Sequence, residues 1–240
     1  MGRNRRLLLA VMTAALLVLA GCGGSNHRHF EPWEAEGLWS GSTSSGGTFD
    51  GVILDTGEYW FIYGTRAGAG SVIHGTGYFS RGRFHSDNGD DYFFGYDRPF
   101  RSAFSARVEP ERFIEGDIYI ADRPEGFSMG YVPEYRFPAN PAAAAREWRG
   151  SATRLLTSGD FVMTVDANGA FSAALAGSCE YTGRMLPNRN GRNVFDITLS
   201  AVPSCPVIFS ANGVAVVTGG RLVITAITPD RSDVFYAVAQ

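Results

Sequence analysis

The chain has 240 residues, 45% of them hydrophobic and 13% aromatic, with 21 arginines and no lysine against 24 acidic side chains, a formal net charge of −3. Its arginines are scattered and outnumbered, so no basic face is available to a nucleic-acid backbone and that class of partner is excluded on electrostatic grounds. The length suits one large β domain or two of about 100 residues.

The first residues fall into three zones. "MGRNRR" carries Arg3, Arg5 and Arg6, "LLLAVMTAALLVL" is an apolar core of 13 residues, and Ala20-Gly21 precedes Cys22. That order is the pattern of a secretory signal, and the apolar core is too short to cross a bilayer as a mature helix. Leu19-Ala20-Gly21-Cys22 stands where an ordinary cleavage site would be, and it resembles the lipobox of bacterial lipoproteins. The resemblance implies that residues 1–21 are a signal peptide cleaved before Cys22. It further implies that Cys22 carries diacylglycerol and an acylated amino terminus, palmitate being a typical acyl chain. Gly23, where an inner-membrane retention signal would show Asp, points within that resemblance to the outer membrane. Two or three acyl chains give stable attachment, each buried methylene adding about 0.8 kcal/mol. Without residues 1–21 the balance becomes 18 basic against 24 acidic side chains, a net charge of −6. Residues 22–36 then read as a flexible tether. His27 and His29 lie in it with no fixed third ligand, so no metal site is assigned to them.

Beyond the tether the chain repeats itself. Trp39-x-Gly41-Ser42 is echoed by Trp148-x-Gly150-Ser151, Thr76-Gly77 by Thr182-Gly183, and "RFIEGDIYI" (112–120) by "IFSANGVAVV" (208–217). A tandem duplication accounts for this, with domains at 37–136 and 147–240 and a linker at 137–146. Pro138 and Pro141 mark that boundary, and Ala142 to Arg146 are expected to form one helical turn. "DFVMTVD", "NVFDITL", "RLVITAI" and "DVFYAVA" alternate with the two-residue period of strands. Turn residues recur at Asn168-Gly169, Asn190-Gly191, Asn212-Gly213, Gly219-Gly220 and Asp230. About eight short strands per half predict an all-β protein. The expected architecture is two tandem antiparallel up-and-down eight-stranded β-barrels, lipocalin- or streptavidin-like, with β-sandwiches as the alternative.

Few residues carry chemistry. With Cys22 assigned to lipid, Cys179 and Cys205 of an exported chain are expected to form a disulfide. "GFSMG" (126–130) matches a nucleophile-elbow pattern but sits in a strand-like run, and the last histidine, His85, precedes it. In "HSDNGDD" (85–91) the spacing of Asp87, Asp90 and Asp91 does not fit a calcium loop, and Asn88-Gly89 reads as a hairpin turn. Asp90 or Asp91 with Glu58 or Glu115 would be carboxylate pairs of unfixed separation. No catalytic residue, metal or cofactor is assigned.

The aromatic residues are unevenly shared, 20 in residues 36–136 against eight in 146–240. Two copies of one fold need similar cores, so the excess is available for recognition. It concentrates in "GEYWFIYG" (57–64) and "DDYFFGYDRPF" (90–100), making Trp60, Tyr92, Phe93, Phe94, Tyr96, Arg98 and Phe100 candidate binding residues. The bland alternative has these rings plug the first barrel or pack against the second. The expected function is a non-catalytic binding module of the cell envelope, contacting a protein, glycan or small apolar ligand. An envelope enzyme or inhibitor using a carboxylate or tyrosine site, or a structural envelope protein, are the alternatives. In layout alone the chain is similar to two-lobed barrel lipoproteins of bacterial surfaces.

Overall fold

A computed structural model describes residues 31–240 apart from 66–67, 121–122, 178 and 206–207; the leader and Cys22 lie outside the described residues. A 3₁₀ turn at Pro32–Ala35 leads into β1 (Gly37–Thr43), β2 (Thr48–Ile53), β3 (Glu58–Thr65) and β4 (Gly68–Thr76). After the short β5 (Tyr78–Ser80) come β6 (Arg83–Phe93), β7 (Phe100–Glu109), β8 (Phe113–Ile120) and β9 (Arg123–Tyr131). Neighbours pair antiparallel in chain order, β4 reaches past β5 to pair with β6, and β9 returns to β1. Eight strands therefore close a barrel, with β5 a flap on β6.

A second 3₁₀ turn (Pro133–Arg136) and one helical turn, α1 (Pro141–Ala144), follow. Asn140 caps α1 by accepting from the amides of Ala142 and Ala143. The second barrel comprises β10 (Glu147–Thr153), β11 (Ser158–Val165), β12 (Ala170–Leu175), β13 (Glu180–Pro187), β14 (Phe195–Ala201), β15 (Ser210–Thr218), β16 (Arg221–Ile227) and β17 (Val234–Ala239), closed by β17 on β10. Both halves are thus up-and-down barrels rather than sandwiches.

Alternation decides what fills each lumen. Phe161, Met163 and Val165 on β11 point inward, while Asp160, Val162 and Thr164 do not. Trp39, Phe49, Tyr59, Phe61, Phe84, Phe104 and Phe127 occupy the first lumen, and Trp148, Phe161, Phe171, Tyr181, Phe195 and Phe235 the second. The two cores are nearly matched in rings, so the aromatic surplus of the first half lies elsewhere. Eight strands enclose just enough space for such a filling, and both lumens are packed with side chains.

The duplication is visible where each barrel begins. Trp39 donates from Nε1 to the Ala35 carbonyl at 3.1 Å, and Trp148 donates to the Ala144 carbonyl at 2.8 Å. In both, a proline-initiated turn plugs the barrel end, and Trp and Gly follow at the same spacing. The other two matches are out of step. "RFIEGDIYI" runs along β8, the seventh strand of its barrel, whereas "SANGVAVV" is β15, the sixth. Thr76-Gly77 ends β4, whereas Thr182-Gly183 lies inside β13.

Two expected turns are also corrected. Asn212-Gly213 runs through β15, and Asn88-Gly89 runs through β6, where it makes a bulge against β7 between Ser86 and Gly89. The hairpin before β6 is made instead by Arg81 (φ 53°) and Gly82 (φ 74°). Polar side chains misled the reading. Asn88 spends its side chain accepting from the Thr76 amide at 2.9 Å, stabilising the bulge instead of a turn.

Cys179 and Cys205 are bonded across two loops of the second barrel, their Cα atoms 5.6 Å apart. Closing a loop of 26 residues removes freedom from the unfolded chain. The double variant Cys179→Ala/Cys205→Ala is expected to lose about 3 kcal/mol in urea unfolding, and an unchanged midpoint would show that the bridge is dispensable.

The cleft between the barrels, a candidate binding site

Several strands are apolar on both faces, which a strand with one solvated side cannot be. "GVIL" (51–54), "YWFI" (59–62), "VAVV" (214–217) and "LVITAI" (222–227) are continuous runs, and their outward residues meet between the barrels. Val52, Leu54, Trp60, Val72, Tyr92 and Tyr135 of the first half pack on Leu155, Val194, Val214, Val216 and Val234 of the second. Phe94 lies beside Tyr236 with ring centroids 6.0 Å apart.

Polar ties frame this contact. At one end Glu36 accepts from Tyr135 Oη at 3.1 Å, Arg192 Nε at 3.2 Å and Asn190 Nδ2 at 3.3 Å. Burial, followed by the Glu36 charge, holds the Tyr135 hydroxyl well above its ordinary pKa. Toward the other end Asp90 accepts from Arg231 Nε at 2.7 Å and from Arg101 Nη1 at 2.9 Å. Arg231 also donates to the His74 carbonyl at 3.3 Å, and Tyr92 Oη donates to the Arg231 carbonyl at 3.2 Å. The Tyr92 hydroxyl is raised in pKa by burial first and by Asp90 second. The Gly95 amide reaches the Leu155 carbonyl at 2.7 Å.

The bulge in β6 makes this arrangement. Up to Ser86 the even-numbered residues face the lumen; beyond the inserted residue the odd ones do. Asp90 and Tyr92 are thereby turned out toward the second barrel and Asp91 is turned in. Asp91 is fully buried beside Ile73, and neither carboxylate oxygen has a partner; the nearby lumen hydroxyls of Ser71 and Ser102 are also unpaired. Burial pushes the Asp91 carboxyl up to about 7, with Ser71 opposing.

The contact is not continuous. It leaves two chambers that meet at Trp60 and Val214, which line both. One, of about 320 Å³, is walled mainly by Leu38, Val52, Ile62, Val216, Val223 and Tyr236, with Asp50 and Arg221 its charged members. Burial raises the Tyr236 pKa, while Arg221 lowers it and Asp50 raises it. The other, of about 620 Å³, is polar and includes Asp55, Glu58, His74, Arg189, Asp196, Thr198 and Asn212. The Trp60 and His74 rings are 4.0 Å apart, and His74 Nε2 lies 2.9 Å from Glu58 Oε1. Trp60 Nε1 and His74 Nδ1 are buried without partners.

The sequence-predicted residues divide accordingly. Trp60, Tyr92 and Phe94 are taken up by the barrel contact, with Trp60 also at the junction of the two chambers. Phe93, Tyr96 and Phe100 form an edge at the 94–99 loop, Tyr96 lying 6.1 Å from Phe93 and 5.1 Å from Phe100, with exposed Arg98 beside it. The imagined carboxylate pairs do not converge: Glu58 serves His74, Asp90 the two arginines, Asp91 the lumen, and Glu115 faces Arg107 on the far wall. Ser128 is an exposed residue in the middle of β9, where no strand-to-helix elbow exists. Among the described residues no group of three metal-ligating side chains converges and no helix is long and apolar enough to cross a membrane. The sequence reading considered Glu58 only as half of a carboxylate pair, and it missed Asp50, Arg221 and the polar walls of the second barrel. Their signal was the set of strands with no polar face.

No protein-family model matches the chain, and no curated protein matches it. A solved structure from Nostoc punctiforme, described as a protein with unknown function from the DUF3598 family, aligns with 88% of this chain and 99% of its own at 9% identity and a TM-score of 0.29. That likeness is too slight to bear on the site.

Proposed function

We propose that the protein is a lipid-anchored component of a bacterial cell envelope, held at the outer membrane by Cys22, that binds a ligand without chemical turnover in the cleft between its barrels. One observation supports the cleft: both lumens are filled with side chains, while the packing of barrel on barrel leaves chambers of about 320 and 620 Å³. Volumes of that order are typical of small-molecule sites, and the smaller chamber is apolar with a few polar groups as such sites are. The lipobox resemblance supports the anchor. The exposed ring edge at Tyr96 is left as a secondary surface.

Two measurements test this. Wild type is expected to incorporate labelled palmitate and to sediment with membranes, whereas Cys22→Ala does neither; a membrane-bound variant without label would overturn the anchor. For the cleft, small molecules released from envelope preparations are expected to alter tryptophan fluorescence. Trp60 lines both chambers, Trp39 only the smaller, Trp148 is sealed in the second lumen and Trp33 is exposed, so Trp60→Phe should remove most of the response. A response of full size in that variant would place binding elsewhere.

A further inference from the structure

We infer that the polar chamber of the cleft is a saccharide-binding site, an inference that rests on the cleft being where ligand binds. Of the side chains that line it, Asp55, Arg189, Thr198 and Asn212 make no hydrogen bond or ion pair with any described residue. They supply a carboxylate, a guanidinium, a hydroxyl and an amide, contributed by both barrels. Counted whole, the lining carries Asp55, Glu58 and Asp196 against Arg189 and Arg231, an excess of one negative charge. A lining with mixed donors and acceptors and a small excess of carboxylate does not suit a polyanion, and the unengaged Arg189 guanidinium opposes a polycation. It suits a neutral molecule dense in hydroxyls.

The floor agrees. Leu54, Val214 and Ile227 surround Trp60, so polar walls stand over an apolar base that includes an aromatic ring. A pyranose has the same division, with hydroxyls around its rim and C–H groups on its faces. An extended peptide is disfavoured for another reason: β3, β4, β14, β15 and β16, the strands that line the chamber, are each paired on both sides and offer no free edge there.

The unpaired ring nitrogens sharpen the chemistry. In the tautomer that places a proton on His74 Nε2 toward Glu58, Nδ1 is an acceptor, and Trp60 Nε1–H beside it is a donor. Both atoms are sealed beneath the floor, and unpaired buried groups of this kind are costly. A hydroxyl, which accepts from one and donates to the other, is the group that matches the pair.

The test uses the full lipid-anchored chain in a detergent free of sugar. Two panels are screened by thermal shift at millimolar concentration. One holds neutral oligosaccharides of glucose, mannose, galactose and N-acetylglucosamine; the other holds amino acids, dipeptides and nucleosides. The expected result is a saccharide that raises the melting temperature, with affinity falling about tenfold in Asn212→Ala and in Asp55→Asn and unchanged in Tyr96→Ala. Both altered residues are exposed and unengaged, so the variants keep the fold. Saccharide binding indifferent to both variants overturns the inference. A hit only in the second panel, weakened by the same variants, overturns the saccharide while leaving the cleft as the site. No hit in either panel overturns both.

Discussion

Replacing Asp91 with Asn is expected to stabilise the protein above neutral pH by up to about 4 kcal/mol and to flatten the pH dependence of its stability. The ordinary carboxyl value of 3.8 is raised to about 7 by burial in the first lumen. The folded chain thus keeps a proton that the unfolded chain releases above about pH 4. This contribution to stability is fully present below about 3.8, falls as the pH climbs, and levels off beyond about 7. Asn keeps the shape, carries no charge, and offers both donor and acceptor to the unpaired hydroxyls of Ser71 and Ser102. Urea unfolding at pH 5 and pH 8 reads the effect directly. A variant with the wild-type slope between those values would mean that Asp91 is solvated or paired in the folded protein.

Gly41→Ala and Gly150→Ala are expected each to cost more than about 3 kcal/mol, or to prevent folding, because each opens a barrel at its seam. A Cβ on Gly41 would lie 2.0 Å from the Ser128 carbonyl oxygen and 2.6 Å from the Met129 Cα. On Gly150 it would lie 2.0 Å from the Val238 carbonyl oxygen and 2.7 Å from the Ala239 Cα. The obstacles are backbone atoms of the closing strand, which no rotamer change can move aside. Gly130 is the control: it lies on the closing strand β9 opposite Ser40, and a Cβ there would come no nearer than 4.0 Å to anything. Gly130→Ala should therefore be neutral or slightly stabilising in chemical denaturation. Equal losses in all three variants would refute a steric origin.

The barrels were legible because burial alternates with a period of two along strands such as β7, β11, β12 and β14, and because Asn168-Gly169, Asn190-Gly191 and Gly219-Gly220 do turn the chain. The disulfide was legible because two cysteines remain once Cys22 is set aside for the lipid that the lipobox resemblance implies. What alternation cannot register is an inserted residue. The bulge at Asp87 and Asn88 reverses the facing of everything after it in β6, which is why Asp90, Asp91 and Tyr92 could not be assigned sides beforehand. The cleft was hidden for a different reason. Trp60 and Tyr92 stood out as aromatic, but whether a ring meets a ligand or a neighbouring barrel depends on how the two barrels dock, and local periodicity carries no information on that. Doubly apolar strands such as "VAVV" and "YWFI" do announce a covered outer face, and they are the better guide to where two such domains meet.

β17 closes the second barrel against β10 and, through Val234 and Tyr236, also walls the contact with the first. As a chain is synthesised from its amino terminus, the first barrel can zip shut once Tyr131 is free. Its flank of Val52, Trp60, Val72 and Tyr92 then stays bare until β17 has followed and folded. A nascent chain of this kind spends that interval as a closed barrel with a sticky side, the form in which a holdase chaperone would grip it and in which two nascent copies would adhere.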